Sequence, residues 1–170
     1  MIDGKRDGMN LEIKTVCFTG HRDIPREHAF ALPRVLEREL VTLVERGATV
    51  FRAGGAVGFD TLAALKVLEL REVYPQIELE LILPCRNQTE RWNEAEVRTY
   101  QYVLAHADRY QFLFDCYVSG CMLERNRRLV EGSDVCVAYC YQNRGGTLYT
   151  VTRAMKQGLE VINLLDLLES

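Results

Sequence analysis

Three short stretches of this chain join glycine to charged or hydroxylated neighbours as phosphate-binding loops do. They are Thr19-Gly20-His21-Arg22, Gly54-Gly55-Ala56-Val57-Gly58-Phe59-Asp60 and Arg144-Gly145-Gly146-Thr147. Glycine lets a backbone approach a ligand closely, and a helix that begins just beyond it points unpaired N–H groups and the positive end of its dipole at an anion. In this reading Gly54 and Gly55 make a tight turn and Gly58 brings helix and strand close. Asp60 either caps the helix or accepts a hydrogen bond from a ribose hydroxyl. Glycine also marks sharp corners for steric reasons alone, so the polar residues beside it carry the distinction.

Those residues are suited to an anion. His21 and Arg22 can contact phosphate or a base, and Thr147 places a hydroxyl and an amide at a helix start. In the run Arg125-Asn126-Arg127-Arg128, helical spacing lets only part face inward; Arg125 and Asn126 are the inward candidates, with Arg127 and Arg128 on a solvated face. Gln88 and Trp92 offer an amide contact and an aromatic wall, while Tyr139 and Tyr149 either stack on a base or cover the edge of the core. The same set permits a second chemistry. Asp60 or His21 would act as acid-base group and Arg125 would steady developing charge, cleaving an N-glycosidic or phosphate bond of the bound ligand.

These loops need strands before them and helices after them, and the hydrophobic periodicity supplies both. Apolar runs predict strands at Thr15–Thr19, Ala48–Arg52, Ile77–Leu83 (ended by Pro84), Tyr110–Phe114, Asp134–Tyr139 and Glu160–Leu164. Helical spacing predicts helices over Leu32–Arg46, Asp60–Tyr74 (closed by Pro75), Thr89–Ala107, Met122–Val130 with Ser119 or Gly120 as N-cap, and Gly145–Gln157 with Gly158 as C-cap. This alternation predicts an α/β fold, an open parallel sheet with helices on both faces, whose ligands bind at the carboxyl ends of the strands.

At 170 residues the chain fits one domain, 1–170, with residues 1–13 as a flexible N-terminal segment. A net charge of −3 gives no broad positive field, so nucleic acid and anionic membrane are disfavoured as partners and a local basic pocket remains allowed. No secretory leader or membrane-length apolar run is evident, which predicts a soluble cytoplasmic protein with free thiols. The six cysteines, Cys17, Cys85, Cys116, Cys121, Cys136 and Cys140, lack the CxxC spacing of a zinc site, so no metal is expected. The expected partner is a small phosphate-bearing ligand, with no cofactor assigned beyond it; a homo-oligomer is compatible with the sequence.

Taken together, TGHR after the first strand, GGAVGFD after the second, MLERNRRLVEGSD before the fifth, and GGTLYTV with VINL near the end resemble the YpsA-like branch of the SLOG superfamily. That Rossmann-like group also contains the DNA-processing protein DprA and the LOG phosphoribohydrolases. The resemblance spans Val16 to Leu164. It implies a Rossmann-like domain and a site for nucleotides or their derivatives, with binding or sensing as the first reading and hydrolysis as the alternative. The LOG enzymes share a PGGxGTxxE motif whose glutamate serves hydrolysis. Here Arg144 to Thr152 reads RGGTLYTVT, with no second glycine-threonine step and no carboxylate at the glutamate's place. A phosphate cradle survives that change; the LOG acid-base group does not.

Overall fold

The computed structural model describes residues 13–168, so the expectation for the N-terminal segment lies, apart from Ile13, outside the described residues. Six strands run β1 (Thr15–Gly20), β2 (Val50–Ala53), β3 (Glu78–Cys85), β4 (Arg109–Phe114), β5 (Val135–Tyr139) and β6 (Glu160–Asn163). Between and after them lie α1 (Arg26–Ala29), α2 (Leu32–Glu45), α3 (Phe59–Arg71), α4 (Glu94–His106), α5 (Cys121–Val130), α6 (Gly146–Lys156) and α7 (Leu164–Leu168).

All pairings in the sheet are parallel, in the order β4-β3-β2-β1-β5-β6. The chain therefore builds outward from β1 to β4 and returns to the other side of β1 for β5, leaving a switch point between β1 and β5 where a crevice must open. The predicted Rossmann-like architecture is the observed one. Strand alternation divides the core in two. Val16, Phe18, Phe51, Val135 and Val137 face α2, α3 and α4, whereas Cys17, Ile82, Cys136 and Ala138 face α5 and α6. Burial on both faces explains why β1 and β5 read as continuous apolar runs.

Several boundaries differ from the sequence reading for physical reasons. Pro84 lies inside β3 rather than beyond it: β2 pairs only as far as Leu81, so Pro84 has a neighbour on the β4 side alone. The helix predicted from Thr89 starts at Glu94, because Asn93 and Glu96 form a reciprocal cap with hydrogen bonds of 2.8 and 3.1 Å. α3 ends at Arg71, before Pro75 is reached. Gly120 rather than Ser119 precedes α5. The short helix α1 buries no residue, and α7 begins at Leu164, where the last strand was expected to end. Among the described residues no helix is long and apolar enough to cross a membrane.

Candidate functional site

The crevice at the β1–β5 switch point is a cavity of about 400 Å³, within the range of about 300–1,000 Å³ that small-molecule sites occupy. The loop after β1 contributes Gly20, His21, Arg22 and Asp23; the loop after β2 gives Ala56 and Asp60; Gln88 and Trp92 come from beyond β3. α5 supplies Met122, Arg125 and Asn126, and the segment from β5 into α6 supplies Tyr141, Gln142, Arg144, Gly145, Gly146 and Thr147.

His21 holds the frame instead of offering a cation. Its Nε2 accepts hydrogen bonds from the backbone N–H of Tyr141 at 3.1 Å and of Gln142 at 3.2 Å, and its ring lies edge-on to Tyr141. An imidazole nitrogen that accepts carries no proton, and burial presses the His21 pKa below its ordinary value. This corrects the expectation of His21 as acid-base group or phosphate-orienting charge; the neutral ring ties the β5 loop to the β1 loop. Because the folded pKa is depressed, His21's contribution to stability is present above pH about 6.5 and is lost as pH falls through the folded value. Thermal denaturation between pH 8 and 5 is therefore expected to show declining stability in the wild type and a flatter profile in His21→Gln.

The glycines after β2 shape the site from behind and do not line it. A Cβ at Gly58, where φ is +84°, would lie 2.1 Å from the Arg22 carbonyl oxygen, and Phe59 N–H donates to the His21 carbonyl at 3.1 Å. Gly58 thus brings α3 against the loop after β1, where the sequence reading had it approach a strand. A Cβ at Gly54 would stand 2.7 Å from Arg125 Nη1, and one at Gly55 would meet Leu83. Gly20 leaves room for the Phe59 ring.

Arg125 and Asn126 form the buried floor, as helical spacing on α5 predicted. Arg125 is 7% exposed; its Nη1 donates to the Gly54 carbonyl and its Nε to Asn126 Oδ1 at 2.7 Å. Asp60 sits beside it in the first turn of α3, after the Gly58 cap and so not itself the N-cap; its carboxylate accepts from Ala56 N–H at 3.3 Å. Burial pushes the Asp60 pKa up, against the opposing pull of Arg125 and the Ala56 and Gly54 amides. Burial likewise lowers the Arg125 pKa while Asp60 supports its charge.

Above the floor, Arg22 and Arg144 stand exposed on the rim. Among the described residues neither joins an ion pair. Between them α6 begins: Gly145 takes φ +94° with open space around it, Gly146 packs close to the Asn126 amide, and Thr147 is buried. The first amides of α6 have no partner within the helix, and Gly145, Gly146 and Thr147, which carry or precede them, line the same cavity as the two arginines.

Of the two alternatives for the tyrosines, the structure gives Tyr139 the core one and leaves both tyrosines off the cavity lining. Tyr139 is a core residue whose hydroxyl meets His28 Nδ1 at 2.6 Å, and burial pushes its pKa up to about 12; Tyr149 lies outside the cavity. Besides the core ring of Phe18, the cavity is lined by Tyr141, whose hydroxyl donates to the Asp23 carbonyl at 2.9 Å, and by Trp92, edge-on to Tyr100. Gln88 also lines the cavity; its Nε2 completes no hydrogen bond. Sequence reading missed Tyr141 and Gln142 as site residues and named Arg144 only as the first residue of its glycine loop, although their place between a strand end and a glycine pair was the available signal. All six cysteines are unpaired, and no cluster of three or more metal-ligating side chains occurs among the described residues.

A family model described as the YspA SLOG family (YpsA) matches residues 20–167, which include every cavity residue named above. The chain belongs to the YpsA family of SLOG proteins. Relatives within reach of this YpsA chain include a UPF0398 protein of Brevibacillus brevis, 29% identical over 74% of this chain and 69% of its own length. A UPF0398 protein of Bacillus cereus is 30% identical over 75% of this chain and 71% of its own. Solved structures share the fold at lower identity. DNA processing protein A (DprA) from Streptococcus pneumoniae superposes with a TM-score of 0.62 at 19% identity, covering 91% of this YpsA chain and 50% of the pneumococcal one. DNA processing protein A from Helicobacter pylori, described with a single-stranded DNA binding mode, gives 0.64 at 18% identity, over 88% of this chain and 64% of its own.

Proposed function

We propose that this YpsA-family chain binds a nucleotide or nucleotide-derived phosphate ligand in the β1–β5 crevice, as a binding or sensing protein. The observation that carries the reading is the meeting, around one cavity, of the α6 amino terminus with Arg22, Arg144 and Arg125. Two rim arginines without carboxylate partners and a row of free amides leave a surplus of positive potential that an anion neutralises. Isothermal titration against nucleotides, dinucleotides, cyclic dinucleotides and ADP-ribose tests this; heat of binding from at least one member is expected, and silence from all of them overturns it.

Single-stranded DNA belongs in the same panel. The acidic balance of the chain spoke against nucleic acid, yet a protein of this fold is described with a single-stranded DNA binding mode. Net charge alone is therefore no ground for exclusion, and retention of an oligonucleotide that falls steeply with salt would assign the crevice to a polymer.

The rim residues give a clean check on the anion. Arg22→Ala and Arg144→Ala each remove a charge that makes no described ion pair, so each is expected to weaken ligand binding about tenfold. Their unfolding free energies should stay within about 0.5 kcal/mol of wild type, since both are surface changes. Calorimetry and urea denaturation on the same preparations measure the two effects.

One observation favours a second reading, hydrolysis of the bound ligand: Asp60 lines the cavity as a buried carboxyl with a raised pKa, the property of a general acid. Chromatography after long incubation decides between the two. New products that disappear in Asp60→Asn support hydrolysis; an intact bound ligand supports binding alone.

A further inference from the structure

The crevice runs along the carboxyl ends of β3, β2, β1 and β5, and its lining changes in kind from one end to the other. Arg22 follows β1 and Arg144 follows β5. Asp60 comes from the segment after β2, and Gln88 and Trp92 come from beyond β3. Neighbouring strands stand about 4.8 Å apart, so the arginine end and the β3 end are separated by up to about 14 Å. The anion-binding groups gather at one end, whereas β3 contributes an amide and an indole with no charge.

The β3 end holds hydrogen-bonding groups that the protein leaves unmet. Gln88 Nε2 and the Tyr100 hydroxyl are both buried, and neither completes a hydrogen bond. They are neighbours: a Cβ at Gly55 would lie 3.2 Å from Gln88 Nε2 and 3.5 Å from the Tyr100 ring. Burial pushes the Tyr100 pKa up, and the Gln88 amide beside it opposes the rise. Buried polar groups in folded proteins nearly always find partners, so a pair of orphans beside a cavity calls for a reason. The turn that carries Gln88 is firmly held. Glu90 N–H donates to the Asn87 carbonyl at 3.2 Å, Trp92 N–H donates to the Thr89 carbonyl at 3.0 Å, and Asn87 Oδ1 accepts from Tyr117 N–H at 2.9 Å. The Gln88 carboxamide itself sits on a soft terminal torsion and can turn into the cavity it lines without moving that backbone. Trp92 is half-buried beside it, its ring 5.4 Å from that of Tyr100. An aromatic surface to stack on and a donor-acceptor edge to pair with are the two things a nucleobase asks of a protein.

Resting on the reading that the crevice binds a nucleotide, we propose that Gln88 and Trp92 set its base specificity. The base lies over the end of β3, its edge bonded by the Gln88 carboxamide and its ring against Trp92; the ribose passes Asp60, and the phosphate lies between Arg22 and Arg144. A glutamine carboxamide donates to N7 of adenine and accepts from its N6 amine, so adenine is the base that engages both halves of Gln88.

Three probes separate the contributions. Ribose 5-phosphate has no base, purine riboside 5′-monophosphate has a purine without the N6 amine, and AMP has both. Calorimetry on the wild type is expected to give affinities that rise in that order, by about tenfold at each step. Gln88→Leu should erase the difference between AMP and purine riboside 5′-monophosphate and leave ribose 5-phosphate within about twofold of wild type. Trp92→Leu should weaken both purines about tenfold and preserve the difference between them. Should Gln88→Leu not fold, Gln88→Glu decides: it keeps the size and the acceptor but loses the donor to N7, so AMP should weaken about tenfold with ribose 5-phosphate little changed. A wild type that does not bind AMP, or binds it no better than ribose 5-phosphate, overturns the proposal. So does a folded Gln88→Leu that still prefers AMP to purine riboside 5′-monophosphate, or one that loses ribose 5-phosphate as strongly as AMP. Ribose 5-phosphate binding to which a base adds nothing sinks base recognition while the phosphate site stands; silence from these probes and from the dinucleotides and ADP-ribose sinks both.

Discussion

Gly58→Ala is expected to lower the melting temperature by roughly 6–12 °C, the shift that about 3 kcal/mol produces in a chain of this size. Two effects add. The residue takes φ +84° and ψ −125°, a region that side-chain-bearing residues avoid. The new Cβ would also stand 2.1 Å from the Arg22 carbonyl oxygen and 2.6 Å from its Cα, and backbone cannot swing aside as a side chain can. Gly158→Ala isolates the first effect, since Gly158 has φ +82° with no atom within 4 Å of the added carbon. It should cost only about 1 kcal/mol. Equal shifts in the two variants would show that the Gly58 contact contributes nothing. Because that contact fixes the loop bearing Arg22, ligand affinity should fall in Gly58→Ala and not in Gly158→Ala.

The pair of glycines also shows how far the sequence could be read. Strand ends, glycine loops and the inward face of α5 follow from local rules: apolar runs mark buried parallel strands, and helical spacing separates Arg125 and Asn126 from Arg127 and Arg128. Which neighbour a glycine makes room for is not local. Gly58 and Gly158 look alike in sequence and in their positive φ, and only the return of the chain past β1 puts Arg22 against one of them. His21 was misread for the same reason. Beside Arg22 it resembles a phosphate contact, but the β5 loop, more than a hundred residues later, brings two backbone N–H groups to its Nε2. Tyr141 went unassigned, and Arg144 was named with its loop but given no role, because glycine pairs drew the reading to themselves, whereas the polar residues just before them form the wall. The small helices α1 and α7 carry too few turns for periodicity to show.

Arg125→Met should abolish measurable phosphate binding, a loss of more than about a hundredfold, and should destabilise the fold by an amount that depends on pH. Among the described residues Arg125 is the one cation of the cavity buried in the protein, and it bonds to both the Gly54 carbonyl and Asn126 Oδ1. Lysine keeps the charge but not the planar fork that satisfies both acceptors, so Arg125→Lys should recover only part of the affinity. The pH dependence comes from Asp60. Its folded pKa is already raised by burial, with Arg125 the first of the groups that oppose the rise. Methionine removes that opposition and drives the pKa further up. A carboxyl raised in the folded state contributes stability below its unfolded pKa of about 3.9 and forfeits it as pH rises through the folded value. The deficit of Arg125→Met relative to wild type is therefore largest near neutrality, on the order of 3–5 kcal/mol for a buried charge stripped of its partner, and shrinks toward pH 4.5 as Asp60 takes up a proton. His21 destabilises both proteins alike as pH falls, so it cancels in the difference. Urea denaturation of the two proteins at pH 4.5 and 7.5 measures it, and a deficit that does not change with pH would mean that Arg125 and Asp60 share the cavity without sharing its electrostatics.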